Sequence, residues 1–259
     1  MLRPRIIPCL LVHKKGLVKT QKFKNPKYVG DPLNAVRIFN EKEVDELIVI
    51  DIDCTVQNRE PDFDLIKKLA YECRMPLCYG GGVKTVEQVM KIINLGVEKV
   101  AVSSAAVANP TIIHDMSKAV GSQSIVVVLD VKKKMLGYEV YTHNGKNKTG
   151  KNPVKMAIEL EKAGAGEIVI NSIDQDGMMS GYDIKLAQKI RQAVSVPLTF
   201  IGGAGSIDHL GRLITEMGVV GCAAGSYFVF KGKYRAVLIS YPPFEERKTI
   251  YSIANTKIS

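Results

Sequence analysis

A closed (β/α)8 barrel of the TIM type, built from two similar halves, is the fold this sequence predicts, on three observations. Short β-branched apolar runs alternate eight times with amphipathic segments of helical period, which implies a parallel sheet with right-handed crossovers. The chain has 259 residues, and such a barrel occupies roughly 250 as one domain. Three motifs also recur in order at an offset of 121 or 122 residues. A dinucleotide-binding sheet fits less well, because no Gly-x-Gly-x-x-Gly follows the first strand.

Each element has its own signal. Ile6, Ile7 and Val12 mark a strand at 5–12, Ile48, Val49 and Ile50 one at 46–52, and Leu77 one at 76–79. Val100 and Val102 lie in the fourth (99–102), Ile125 to Leu129 in the fifth (124–130) and Ile168 to Ile170 in the sixth (167–170). Two shorter runs, 198–201 and 221–224, complete the eight. Helical spacing of apolar residues places helices at 32–42, 63–72, 85–95, 110–119, 153–163, 183–193 and 207–217, with a last one after Gly232. Gly80-Gly81-Gly82 recurs as Gly202-Gly203-Ala204-Gly205. Ser103-Ser104-Ala105-Ala106 recurs as Ala223-Ala224-Gly225-Ser226, and Asp51-Ile52-Asp53 is echoed around Asp174. Half-barrels of about 1–120 and 121–245 follow, within a single domain spanning 1–259, since no linker or low-complexity stretch divides them.

Composition narrows the class. With 46% hydrophobic and 24% charged residues, disordered, collagen-like and coiled-coil architectures are excluded. No apolar run approaches the roughly 20 residues of a membrane span. The run from Ile6 to Val12 behind Arg3 and Arg5 is no signal peptide: Pro8 interrupts it, His13-Lys14-Lys15 follows at once, and no small-residue cleavage site appears. Five scattered cysteines and four histidines show no metal-ligand spacing. They read as reduced thiols of a cytoplasmic protein, with no metal or cofactor expected. The net charge of +10 is concentrated. Lys14, Lys15, Lys19, Lys22, Lys24 and Lys27 fall in the loop after the first strand, and Lys132 to Lys134 after the fifth. Without aromatic stacking platforms this suits an anionic small molecule or an acidic partner rather than nucleic acid or a membrane.

Barrel enzymes place their chemistry on the loops that follow the strands' carboxyl ends. Glycines there let backbone N–H groups approach an anion, and a following helix adds the positive end of its dipole. Tight turns alone also use glycine. Two such loops, each beside a serine-bearing strand end, predict two phosphate sites: Gly81, Gly82, Ser103 and Ser104 on one side of the mouth, and Gly202, Gly203, Gly205, Gly225 and Ser226 on the other. Asp51, Asp130, Asp174 and Asp176 end strands, where carboxylates act as general acids and bases or merely cap the next helix. The half-barrel counterpart of Asp130 is Leu11, so a two-carboxylate mechanism has lost one partner. At the opposite strand ends stand Arg5, Glu46, Lys99 and Glu167, alternating in sign. Such charges survive burial only when paired, so they form at least a plug in the barrel floor.

Ile6-Ile7-Pro8-Cys9-Leu10, Gly30-Asp31-Pro32, Ser104-Ala105-Ala106-Val107, Gly121-Ser122-Gln123, Tyr141-Thr142-His143, Gly164-Ala165-Gly166-Glu167 and the run from Asp174 to Gly177, with the glycine loop at 80–82, resemble the HisF family. HisF is the cyclase subunit of imidazole glycerol phosphate synthase. The resemblance implies a glutaminase docked on the barrel bottom, ammonia admitted through a gate matching Arg5, Glu46, Lys99 and Glu167, and a substrate with two phosphates. It places Lys19, Asp51, Asp130 and Asp176 at active-site positions. Four departures stand out: Leu11 where the family has its general acid, Thr20 for glycine, Asn171 for Thr or Ser, and Ile201 for Ser. The stretch from Leu10 to Tyr28 is similar to a paralogous branch associated with acetamidino modification of surface-polysaccharide sugars. That likeness implies ammonia supply to a sugar amidotransferase, which would meet the mouth. A working cyclase of histidine synthesis is the alternative, and an aldose–ketose isomerase barrel ranks below both because it has no use for a gate.

Overall fold

The computed structural model describes residues 3–255. Its barrel strands are β1 (Arg5–His13), β2 (Leu47–Asp51), β3 (Leu77–Gly80), β4 (Lys99–Val102), β5 (Ile125–Lys134), β6 (Glu167–Ser172), β7 (Leu198–Ile201) and β8 (Gly221–Ala224). Each pairs in parallel with the next, and β8 returns to β1 with Arg5 opposite Gly221 and Pro8 opposite Ala224. The sheet is therefore a closed (β/α)8 barrel. The surrounding helices are α1 (Pro32–Glu41), α2 (Phe63–Glu72), α3 (Val86–Asn94), α4 (Thr111–Val120), α5 (Pro153–Lys162), α6 (Ile184–Arg191), α7 (Ile207–Met217) and α8 (Phe244–Asn255). None of the described helices is long and apolar enough to cross a membrane.

Both faces of the sheet are covered, which is why the strands read as continuous apolar runs. Residues facing outward pack with the helices into the larger core, among them Ile6, Leu47, Val100 and Ile168. Those facing inward form a second, slender core that includes Ile7, Cys9, Ile48, Cys78, Val126 and Val169. The helices start where short polar side chains satisfy free backbone donors. Asp31, Asp62 and Asp183 accept from the N–H three residues on, and Thr85 with Gln88 closes a capping box before α3.

The long loop expected after the first strand is folded. The chain turns twice to make an antiparallel pair, Gly16–Gln21 and Lys24–Gly30, extending β1 over the mouth. Both turns use two consecutive residues in the left-handed region, Lys14-Lys15 and Lys22-Phe23, with φ between 48° and 65°. This geometry matches the twist of hairpin strands but usually signals itself by Asn-Gly or Asp-Gly, absent here. Lys132 to Lys134 likewise belong to β5, which runs on into a hairpin with Gly137–Thr142. The last helix begins at Phe244, later than Gly232, because a small hairpin of Phe230–Lys231 and Ala236–Val237 intervenes.

Candidate functional site

The carboxyl ends of the strands surround a cavity of about 340 Å³. Lys19, Asp51, Asp130 and Asp176 line it, as do Gly81, Gly82, Ser103, Ser104, Gly202, Gly203, Gly225 and Ser226. The two glycine–serine groups belong to β3–β4 and β7–β8, which face each other across the closed ring. Glycine is required at Gly81 and Gly202. Their φ values of +119° and +96° suit few other residues, and a Cβ would lie 2.3 Å from the Asp51 carbonyl and 2.7 Å from that of Ser172. Ser103 Oγ is buried with no hydrogen-bond partner among the described residues, which leaves a donor for a ligand oxygen. Gly205 is not part of the lining. Its N–H donates to His209 Nδ1 at 3.1 Å, so it supports the start of α7.

The three carboxylates differ in what holds them. Asp51 Oδ1 accepts the backbone N–H groups of Asp53 (2.8 Å) and Cys54 (3.2 Å), so it shapes its own turn. Asp176 Oδ2 accepts from the Thr20 hydroxyl at 2.7 Å and the Phe23 N–H at 3.1 Å, which ties the mouth hairpin to the loop after β6. Burial raises its pKa, against the pull of those donors and of Lys19. Asp130 has one neutral partner among the described residues, Asn171 Nδ2 at 2.9 Å on the adjacent strand. Burial pushes its pKa up to about 7; the Asn171 bond opposes this and the nearby Asp176 carboxylate adds to it. Lys19 is buried and donates to the Cys9 carbonyl, with burial pushing its ammonium below the ordinary range. Thus two of the departures, Thr20 and Asn171, turn out to hold the acids.

Below these groups the wall is apolar. Leu11, Ile50, Val128 and Ile201 line the cavity, with Ile48, Cys78 and Val169 beneath them. At the foot of the barrel the four charges close a ring. Arg5 bonds Glu46 through Nη1 and Glu167 through Nη2, the latter at 2.7 Å. Lys99 Nζ reaches Glu46 Oε1 and Glu167 Oε2, both at 2.9 Å. Burial disfavours the charges of Arg5, Lys99 and Glu167, but opposite neighbours outweigh it: the pKa of Arg5 and Lys99 is raised and that of Glu167 lowered. Thr199, on β7, also bonds Glu167, at 2.6 Å. Sequence reasoning missed it, although a lone hydroxyl in the apolar run Leu198-Thr199-Phe200-Ile201 was a visible signal.

Comparison with known proteins bears on the family. The family model described as "Histidine biosynthesis protein" matches residues 5–235. A Leptospira borgpetersenii protein named "Putative imidazole glycerol phosphate synthase subunit HisF" is 54% identical over 253 residues, covering 97% of this chain and 100% of the relative. A Vibrio vulnificus relative, named as the hisF3 copy of that subunit with the same qualifier, is 55% identical over 96% of this chain and 97% of its own length. The Alkaliphilus metalliredigens imidazole glycerol phosphate synthase subunit HisF is 40% identical over 88% of this chain and 91% of its own. With a barrel closed at one end by paired charges and open at the other, and with these likenesses over nearly its whole length, the chain belongs to the HisF family.

Proposed function

We propose that this HisF-like subunit receives ammonia from a glutaminase docked over Arg5, Glu46, Lys99 and Glu167, and passes it up the barrel for amidotransfer on a surface-polysaccharide sugar. The observation that carries the reading is the intact four-charge ring beneath an apolar interior whose top layer has Leu11 in place of an acid. Neutral ammonia crosses an apolar passage far more readily than ammonium, whose desolvation costs many kcal/mol. The cavity above would hold a phosphorylated ligand between Ser103 and Ser226, and the lysine-rich mouth would meet a separate sugar amidotransferase. No metal or cofactor is needed for this role. The five free thiols suit the cytoplasm.

The alternative, a working cyclase of histidine synthesis, is favoured by one observation: Asp130 is poised near pH 7, where a carboxyl can both give and take a proton. One assay separates the two. Purified protein is given the ribulosyl formimino substrate of the cyclase and ammonium salt. Loss of a positioned proton donor costs about 10²- to 10⁴-fold, so turnover at least a hundredfold below that of a cyclase bearing the acid is expected. Turnover comparable to such an enzyme would overturn the amidotransfer reading and establish the cyclase.

A further inference from the structure

The ring at the barrel foot has a neutral member. Thr199 is fully buried on β7. Its Oγ1 donates to Glu167 Oε1 at 2.6 Å and accepts from Arg5 Nη2 at 3.3 Å. A buried hydroxyl without partners costs several kcal/mol in an otherwise apolar strand, and here both of its bonds go to ring members. Room for it comes from β8. Gly221 pairs in register with Arg5 on one side and Thr199 on the other. A Cβ at Gly221 would lie 1.9 Å from Thr199 Oγ1. The eighth strand therefore contributes a gap to this layer, and Arg5 reaches across it to Thr199 and Glu167.

We propose that Thr199 is a positioning residue of the ring, pinning one oxygen of Glu167 so that the other faces Lys99, and that Gly221 preserves the space this requires. Glu167 Oε1 is held by Thr199 and by Arg5 Nη2, while Oε2 faces Lys99 at 2.9 Å and takes a longer bond from Arg5 Nη1 at 3.3 Å. Without the hydroxyl, only the two Arg5 bonds resist rotation of the carboxylate about its last bond, and the contact of Oε2 with Lys99 loosens. Thr199 touches no reacting atom. Its effect on ammonia transfer rests on the gate reading proposed above, whereas its effect on Lys99 does not.

Lys99 exposure can be read directly. The full chain is acetylated with an amine-reactive ester at fixed pH, and labelling of Lys99 is followed by mass spectrometry in Thr199→Val, Thr199→Ser and Gly221→Ala. One hydrogen bond to a charged group is worth about 1.5–3 kcal/mol, or roughly tenfold or more in an equilibrium. Lys99 labelling is thus expected to rise about tenfold in Thr199→Val and Gly221→Ala and to stay within about twofold of wild type in Thr199→Ser. Should the valine variant not fold, Thr199→Ala carries the same comparison with serine. Unchanged labelling in the hydroxyl-free variant, or equal increases for serine and valine, overturns the assignment. The same variants are then assayed with the glutaminase for free ammonia released per glutamine hydrolysed. Raised labelling with more ammonia lost to solvent supports both readings. Raised labelling with no added loss upholds Thr199 but overturns the gate.

Discussion

Leu11 changes the task of the carboxyls above it. In its place a carboxylate would share the mouth with Asp130 and Asp176, whereas the leucine adds to an apolar lining that includes Val128 and Ile201, with Asn171 the one donor to Asp130 among the described residues. The native state then holds the Asp130 proton up to about pH 7, while the unfolded chain releases it near pH 4. Between those values the native state binds more protons, so its stability falls as pH rises. Asp130→Asn cannot ionise and escapes that loss. Wild-type protein should therefore lose about 2 kcal/mol more than the variant between pH 4.5 and 7.5, after allowing for water in the cavity. At this size that is a Tm difference of about 4–8 °C. Parallel melting curves across the range would mean that Asp130 ionises like an exposed aspartate.

At the scale of elements, the mouth hairpin supplies part of the site, since Lys19, Thr20 and Phe23 line the cavity. Its first strand carries Lys19 and Thr20 inward, and the second, from Lys24 to Gly30, is exposed along most of its length. The hairpin is fastened chiefly by Asp176, which takes the Thr20 hydroxyl and the Phe23 N–H, while Lys22 N–H donates to the Asp176 carbonyl. Thr20→Val removes one bond to a buried charge, worth about 1.5–3 kcal/mol. Amide exchange across 16–30 should speed up by about tenfold or more while exchange in β2 and β3 stays as it was. Uniform acceleration would show that the hairpin and barrel open together. The barrel itself was legible because each strand is buried on both faces, which writes an uninterrupted apolar run into the sequence. The mouth hairpin was not: its turns put lysines and a phenylalanine at positive φ, and its exposed outer strand carries Lys, Asn and Pro. The glycine loops were legible at Gly81 and Gly202 for steric reasons, whereas Gly205 lacks their positive φ, lies outside the cavity lining and gives its N–H to His209, a contact that no spacing reveals.

Across the whole molecule, the paired charges and the apolar interior are one design seen from two ends, and the question is whether the ring is a gate or a plug. Single substitutions answer poorly. Lys99 contacts both Glu46 and Glu167, each almost fully buried, so Lys99→Met leaves a net negative charge in the ring. Breaking a buried pair in this way costs about 3–5 kcal/mol, and lower coupling could then reflect partial unfolding. Glu46→Gln combined with Lys99→Met is cleaner. It leaves Arg5 and Glu167 as a matched pair, with Thr199 still on Glu167. The double variant should melt at least about 5 °C above Lys99→Met, since the net charge imbalance is gone. It should nonetheless lose glutamine-derived ammonia to solvent when assembled with the glutaminase, because half of the ring no longer closes the barrel foot. A plug predicts the reverse pairing: stability and coupling would recover together in the double variant. Stability near wild type with normal coupling would therefore remove the gate from the account and leave the four charges as structural closure.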